Sequence, residues 1–406
     1  MPSRRLTAAA LSALLLVPAA RADDWTLPPV VGQLEGDFAA LKLPGAPKLH
    51  WKANIAAADA GARAVELAID GPGTRMRTEL RIDAYGDGTW RVLEAQVDIA
   101  VWFAAVAPQV SAGLASVTAA GMISATGAGE LHGGAVTGRV EIELSDGQVH
   151  DVARTWSVTG VKARAAVVVP SLATDGLVRI GIGEVAAGNL SARDGEVELA
   201  IDAKQQVHVT RAVAAALNGR VEATPFDFPL AQPEVKTEWR VDDVEIAQLA
   251  RLLPPVLSAA TGRVSGRVAM AWNSRQGFVP GTGRLQVEPG GGAELRLAPQ
   301  PGFLTSRVPR KISLIPGLVT IDNPAYEPLR SLEMGETTLQ IESLDIGLRP
   351  EGDPNGRTAR VVLTAKPEKR KEVESVRFEI NVKGPLTDVL RFGIEHNLSL
   401  SARTTK

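Results

Sequence analysis

The chain lacks cysteine altogether among its 406 residues. This absence excludes disulfides, thiolate nucleophiles, iron–sulfur clusters and the attachment of lipid to a cysteine. Aromatic residues make up only 4% of the chain, and a surplus of positive charge is missing, because 44 basic residues stand against 46 acidic ones. Without excess lysine and arginine to neutralise phosphates, the composition argues against a strongly basic nucleic-acid-binding protein.

Motifs for common chemistry are also missing. The histidines His50, His132, His150, His208 and His396 are scattered, and none has the spacing of a zinc site. The sequence contains neither a Gly-x-Ser-x-Gly elbow nor a phosphate-binding P-loop. We therefore expect a protein that is not an enzyme and that has no catalytic residue, metal ligand or cofactor.

The N-terminal residues have the three parts of an export signal. Arg4 and Arg5 come before an apolar stretch, and Ala20-Arg21-Ala22 places small residues around a cleavage point. This pattern predicts a signal peptide over residues 1–22, cleaved at its end. The alternative is an uncleaved anchor in an inner membrane. In both cases the sequence predicts a location outside the cytoplasm, in the periplasm of a cell with two membranes.

Most of the remaining chain alternates apolar and polar residues with a period of two. Charged or polar residues flank Val140, Ile142 and Leu144 on both sides. The same alternation surrounds Phe378 and Ile380 near the C-terminus. Pairs of Asp and Gly supply turn signals between such segments. The alternation predicts antiparallel strands with one apolar and one polar face.

Two segments have helical spacing instead, residues 98–117 and residues 243–260. In the second segment Asp242 or Asp243 is the expected N-cap, and Pro254-Pro255 would end or kink the helix. The sequence therefore predicts two short amphipathic helices in an otherwise β-rich chain.

Each helical segment opens what looks like an internal repeat. Val97-Asp-Ile-Ala100 resembles Val244-Glu-Ile-Ala247, and Thr137-Gly-Arg-Val140 resembles Thr282-Gly-Arg-Leu285. A repeat at this spacing predicts one supersecondary unit used twice, unless the similarity comes from the abundance of Ala, Val and Gly. We expect a first unit over 23–157, a second over 158–310 and further strands over 311–406.

The order of several segments resembles the YdbH-like proteins of the AsmA/TamB superfamily, also called the "dicarboxylate transport" domain family. These segments are Gly160–Arg164, Val167–Leu172, Gly219–Phe226, Val241–Leu249, Thr261–Val268, Gly281–Val287 and Ile380–Arg391. The resemblance implies a long, twisted antiparallel sheet that curls into an open apolar groove. It also implies a role in moving phospholipids between inner and outer membranes.

The apolar residues of the alternating segments are the candidates for lining such a groove and contacting acyl chains. They are Val161, Ala163, Val167, Val197, Leu199, Val264, Val268, Met270 and Trp272. The competing interpretation is ordinary core packing, in a periplasmic β-sandwich scaffold that binds no lipid.

The resemblance implies phospholipid as the partner, and nucleic acid is not expected. Members of the family are usually much longer, whereas 20 to 25 strands at ~4.8 Å give a groove of about 100–120 Å. A groove of this length is short for crossing a periplasm. We therefore expect a membrane-anchored or outer-membrane partner protein, self-association end to end, or action as a shuttle.

Overall fold

The computed structural model describes residues 31–39, 46–110, 114–153, 155–187, 190–250, 257–273, 277–287, 291–306, 308–315, 319–368, 374–384 and 398–405. The predicted signal peptide lies outside these residues, as do Pro254 and Pro255. All the described strands except Lys311–Ile315 and Val319–Asp322, which pair with each other, belong to one sheet of 23 strands, and the registered pairs are antiparallel. The prediction of a mostly β protein with a long antiparallel sheet and few short helices is confirmed.

Contacts divide the described residues into two compact units. The first unit consists of the residues up to Ala186, with Arg193–Ala212 and Pro225–Pro233. Its strands are β1 (Gly32–Ala39), β2 (Lys48–Ala57), β3 (Arg63–Gly71), β4 (Thr74–Ile82), β5 (Gly88–Asp98), β6 (Val117–His132), β7 (Ala135–Asp151), β8 (Trp156–Val169), β9 (Ala173–Thr174), β10 (Val178–Ala187), β11 (Leu190–Ile201), β12 (Gln206–Ala216) and β14 (Phe226–Pro229). Of these, β10, β11 and β12 extend into the second unit.

The second unit consists of Ala187–Ala192, Val213–Thr224 and the described residues from Glu234 onwards. Its strands are β13 (Gly219–Ala223), β15 (Glu234–Glu245), β16 (Leu257–Thr261), β17 (Arg263–Asn273), β18 (Gly277–Val287), β19 (Glu294–Leu297), β20 (Lys311–Ile315), β21 (Val319–Asp322), β22 (Leu339–Leu348), β23 (Arg357–Pro367), β24 (Ser375–Lys383) and β25 (Leu398–Thr405).

The first predicted helix is present but shorter than expected. Helix α1 covers Ile99–Val110, and strand β6 already begins at Val117, inside the predicted helical segment. The Asp98 carboxylate accepts a hydrogen bond of 2.8 Å from the backbone N–H of Ala100 and so caps the first turn. The helical spacing therefore identified the helix and its start but overestimated its end.

The second predicted helix is wrong at both ends. Strand β15 continues to Glu245, helix α2 covers Ile246–Ala250, and Leu257–Thr261 forms β16, while residues 251–256 lie outside the described residues. The predicted cap at Asp242 or Asp243 is part of a β-bulge, because β15 remains paired with β17 on both sides of it. Cross-strand hydrogen bonding thus overrides the helical spacing of this segment.

One further helix and one short 3₁₀ turn complete the secondary structure of the described residues. Helix α3 covers Tyr326–Glu333 in the second unit, and the 3₁₀ turn covers Asp59–Gly61 in the first. Helix α3 has no counterpart among the sequence predictions. It buries Leu329 and Leu332, which are three residues apart and therefore share one helix face.

Candidate lipid-binding faces

The first unit has a continuous apolar face, which we call the first apolar face. Its buried side chains all lie on strands, from Leu49 on β2 to Val169 on β8, and Trp102 of α1 packs against them. Successive partners across the strands form one row: Ala53, Leu67, Thr78, Val92, Gly127, Val140 and Val167. Only Thr78 in this row has a polar side chain.

Glycines on two strands make room for a tryptophan on this face. A Cβ on Gly129 would lie 2.6 Å from Trp90 Nε1, and one on Gly138 would lie 2.6 Å from Trp90 Cζ2. The indole N–H donates a hydrogen bond of 3.0 Å to the carbonyl of Thr137. Trp90 is therefore held against the strand backbones, with its one polar atom satisfied.

Three of the predicted lipid-contacting residues, Val161, Ala163 and Val167, follow each other along one side of β8 and are half-buried. Across β7, Ala163 is paired with Leu144 and Val167 with Val140. The structure thus brings these three residues together with apolar neighbours on one face of the sheet.

Val197 and Leu199 lie on β11, where they are half-buried and alternate with glutamates. Arg179 of β10 pairs with Glu198 at 3.2 Å, and β10 pairs with β8, so β10 separates the two strands that carry predicted residues. Because Glu198 lies on the charged side of β11, alternation puts Val197 and Leu199 on the opposite side.

The second unit has its own row of cross-strand partners, which belongs to what we call the second apolar face. The row consists of Ala223, Trp239, Val268, Gly283, Leu348, Ala359 and Val382. On β17 the predicted residues Val268, Met270 and Trp272 are half-buried, whereas Val264 has 0% of its surface exposed. Val264 is therefore a packing residue in this structure.

A family model described as "YdbH-like: Intermembrane phospholipid transport protein YdbH" matches residues 32–307. The match covers more than half of the chain. The chain belongs to the YdbH-like family. The comparisons with curated proteins and with solved structures gave no match.

The resemblance noted from the sequence is thereby confirmed at the level of the YdbH-like family. Transport of phospholipid between membranes is a process of the cell envelope, and this is the setting that the family's description gives. Among the residues that the structure describes, no helix is both long and apolar enough to cross a membrane.

Sequence reasoning missed the residues that cover part of the second apolar face, which are turns around Leu304 at the end of the YdbH-like match and helix α3 beyond it. Leu329 and Leu332 of α3 and Leu304 of the preceding turns pack into the same buried cluster as Leu363 and Phe378. The ring of Phe303 stacks on that of Phe378, with centroids 6.4 Å apart. The apolar side of β23 and β24 is thus covered by the chain itself.

A buried carboxylate holds this cover in place. Glu333, at the end of α3, accepts hydrogen bonds from the backbone N–H groups of Leu304 (2.9 Å) and Thr305 (3.0 Å), and from the Thr305 hydroxyl (2.7 Å). The only sequence signal for this contact is a glutamate that follows two leucines spaced three apart, which is too common a pattern to identify it.

Proposed function

We propose that this YdbH-like protein binds the acyl chains of phospholipids on its apolar faces and assists their passive transfer between the inner and outer membranes. The observation that carries the proposal is the row of cross-strand partners on each face, apolar throughout on the second face and apolar except for Thr78 on the first, in a family described as transporting phospholipid. An acyl chain requires such a surface, because each CH₂ removed from water contributes about 0.8 kcal/mol.

The rows of cross-strand partners also suit the movement of an acyl chain from strand to strand. Neighbouring strands are ~4.8 Å apart, so a chain that slides across the strands exchanges one apolar contact for a similar one. The free energy then changes little from step to step, and no chemical reaction is needed to move the lipid. Half-buried residues are available for such contacts, namely Val161, Ala163, Val167, Val197, Leu199, Val268, Met270 and Trp272.

We place this activity in the periplasm, which is the compartment between the two membranes. Delivery to either membrane then requires a membrane-anchored or outer-membrane partner protein, contact with a second copy end to end, or free diffusion as a shuttle. The proposal contains no catalytic step, in keeping with a family that is described by transport alone.

Native mass spectrometry of protein purified gently from the periplasm, followed by lipid extraction, tests the proposal. We expect co-purified phospholipid, and we expect Val268→Asp and Met270→Asp to lose it, because a buried charge on the row opposes acyl-chain binding. The matched control is Lys236→Asp, an exposed residue on the neighbouring strand β15. Circular dichroism establishes that each variant is folded.

The alternative is a periplasmic scaffold that binds no lipid. The cover formed by α3 favours it for the C-terminal strands, since their apolar side is already buried. A folded, lipid-free protein that takes up no added phospholipid would support the scaffold and refute lipid binding. Equal lipid loss in Lys236→Asp and Val268→Asp would also count against the apolar row.

A further inference from the structure

A polar cavity of about 390 Å³ lies in the second unit. Its charged residues Arg284, Asp345 and Arg360 alternate along β18, β22 and β23 with Leu285, Ile346 and Val361 of the apolar cluster, so these charged side chains lie on the opposite side of the strands. Gly283, Leu348 and Ala359, which also line the cavity, belong to the row of the second apolar face. The volume of the cavity is within the range of small-ligand sites. We call it the arginine cavity, lined by Gly283, Arg284, Asp345, Gly347, Leu348, Arg349, Asp353, Arg357, Ala359, Arg360 and Val362.

Positive charge is in excess in the arginine cavity. Four arginines and two aspartates line it, and Glu379 pairs with two of the arginines, Arg357 (3.5 Å) and Arg360 (3.0 Å), so the excess is one positive charge. Both aspartates already accept hydrogen bonds: Asp345 accepts two from Arg284, at 2.8 and 2.7 Å. Asp353 accepts from the backbone N–H groups of Asn355 and Arg357 and from Arg357 Nε. The acidic oxygens are therefore occupied.

The arginines, in contrast, keep donors to spare. A guanidinium has five N–H bonds, and a bidentate pair with a carboxylate uses two of them. Arg284 is held in this way by Asp345, and Arg360 by Glu379 at 3.0 and 3.0 Å. These carboxylates fix the orientation of the guanidinium groups and leave N–H bonds for a further acceptor.

One arginine of the cavity, Arg349, is exposed, and its guanidinium makes no ion pair with the part of the chain that the structure describes. Two residues before it, near the end of β22, Gly347 leaves open space, because a Cβ there would meet only the carbonyl oxygen of Arg360, at 3.9 Å. A ligand can therefore approach the strand backbone between the arginines.

We propose that the arginine cavity binds a phosphate group. Phosphate offers several acceptor oxygens to forked guanidinium donors and carries the negative charge that the cavity lacks. The group can come from a lipid headgroup or from a soluble phosphate. In the first case the inference rests on the proposed function and deepens it, since the arginine cavity would then hold the headgroup of a phospholipid.

Isothermal titration of the full chain with sodium phosphate at pH 7 tests the site directly, with sodium chloride at equal ionic strength as the reference. We expect saturable binding, weakened about tenfold by Arg349→Gln, which removes a charged hydrogen bond without breaking an ion pair. Gly347→Glu, which adds a negative charge to the cavity, should abolish binding. Arg267→Gln is the control, because Arg267 lies outside the cavity with 71% of its side chain exposed and its substitution removes only a surface ion pair with Glu238.

Phosphate heat no larger than that of chloride, or an equal loss in Arg267→Gln, would overturn the proposal. Sedimentation with vesicles of phosphatidylcholine, with and without phosphatidylglycerol, then identifies the source of the phosphate. Vesicle binding that increases with phosphatidylglycerol and depends on Arg349 supports a lipid headgroup as the source of the phosphate. Phosphate binding without vesicle binding supports a soluble ligand.

If the titration shows no phosphate binding while lipid still co-purifies, the phosphate site in the arginine cavity is refuted and the acyl-chain proposal stands.

Discussion

At the scale of single residues, Glu333 is a buried carboxylate whose surroundings shift its pKa. Its side chain is buried, with 3% of the residue exposed. Burial raises the pKa of the carboxyl, but the hydrogen bonds from the Thr305 hydroxyl and from backbone N–H groups outweigh burial and bring the pKa below its ordinary value. The folded state therefore favours the ionised form more than the unfolded chain does.

This pKa shift predicts an acid-sensitive cover on the second apolar face. A lowered folded-state pKa contributes stability above the unfolded pKa, about 4.3, and that contribution is lost as the pH falls through the folded value. We expect Glu333→Gln to cost about 1–3 kcal/mol at pH 7, since it weakens buried hydrogen bonds. The variant should also lose less stability on acidification than the parent.

Urea unfolding between pH 7 and pH 3 measures both effects. Glu336→Gln is the control, because Glu336 is exposed three residues further along the chain. If both variants keep the acid dependence of the parent protein, the carboxylate of Glu333 is not responsible for it.

At the scale of elements, the β15–α2 segment shows how backbone geometry replaces a predicted helix. Asp243 has a φ of 55°, in the left-handed region, at the bulge between Val241 and Val244. Its backbone N–H donates a hydrogen bond of 3.1 Å to Ser265 Oγ, so it is still tied to the neighbouring strand β17. Aspartate tolerates this conformation better than most residues do.

The bulge predicts a difference between two substitutions at an exposed position. Asp243→Val should destabilise the protein by about 1–2 kcal/mol, because a β-branched residue is strained at positive φ. Asp243→Gly removes the same carboxylate but accepts the conformation, and it should retain parental stability. Urea unfolding of both variants checks this. Equal losses would mean that the carboxylate, and not the backbone, matters at this position.

Elements with a strong local pattern could be predicted from the sequence, and elements fixed by distant partners could not. Alternation identified the strands around Val140 and Phe378 because a period of two is a property of one strand alone. Helix α3 went unnoticed because it is short and its role depends on the turns that Glu333 contacts. The packing of Trp90 against the strand backbones could not be predicted either, because it depends on glycines of two other strands.

The two halves of the predicted internal repeat share a strand register. Gly121-Met-Ile-Ser124 resembles Gly262-Arg-Val-Ser265, and Val97 is paired with Ile123 as Val244 is with Val264. In each half a helix follows the first strand of the pair, α1 after β5 and α2 after β15. The repeat remains a prediction, because equivalent registers are also expected for any two hairpins with similar lengths.

At the scale of the whole molecule, the two apolar faces differ in what covers them. The buried cluster of the first face is built from strand residues, with Trp102 of α1 packed against it. The cluster of the second face includes Leu329 and Leu332 of α3, which lie on the apolar side of β23 and β24. The half-buried apolar residues of β8 and β17 are therefore more accessible to a lipid than the fully buried residues of β23.

This difference predicts where a lipid makes contact. A phosphatidylcholine carrying a diazirine in its acyl chain, activated by light in the presence of the unaltered protein, should label peptides that contain Ala163 and Val167 or Met270 and Trp272. Peptides around Ala365, which has 0% exposure, should receive little label, because the carbene reacts only with atoms it touches. Excess unlabelled lipid should compete away the specific signal. Label confined to peptides around Ala365, or spread evenly over the charged sides of the strands, would contradict binding on the half-buried rows.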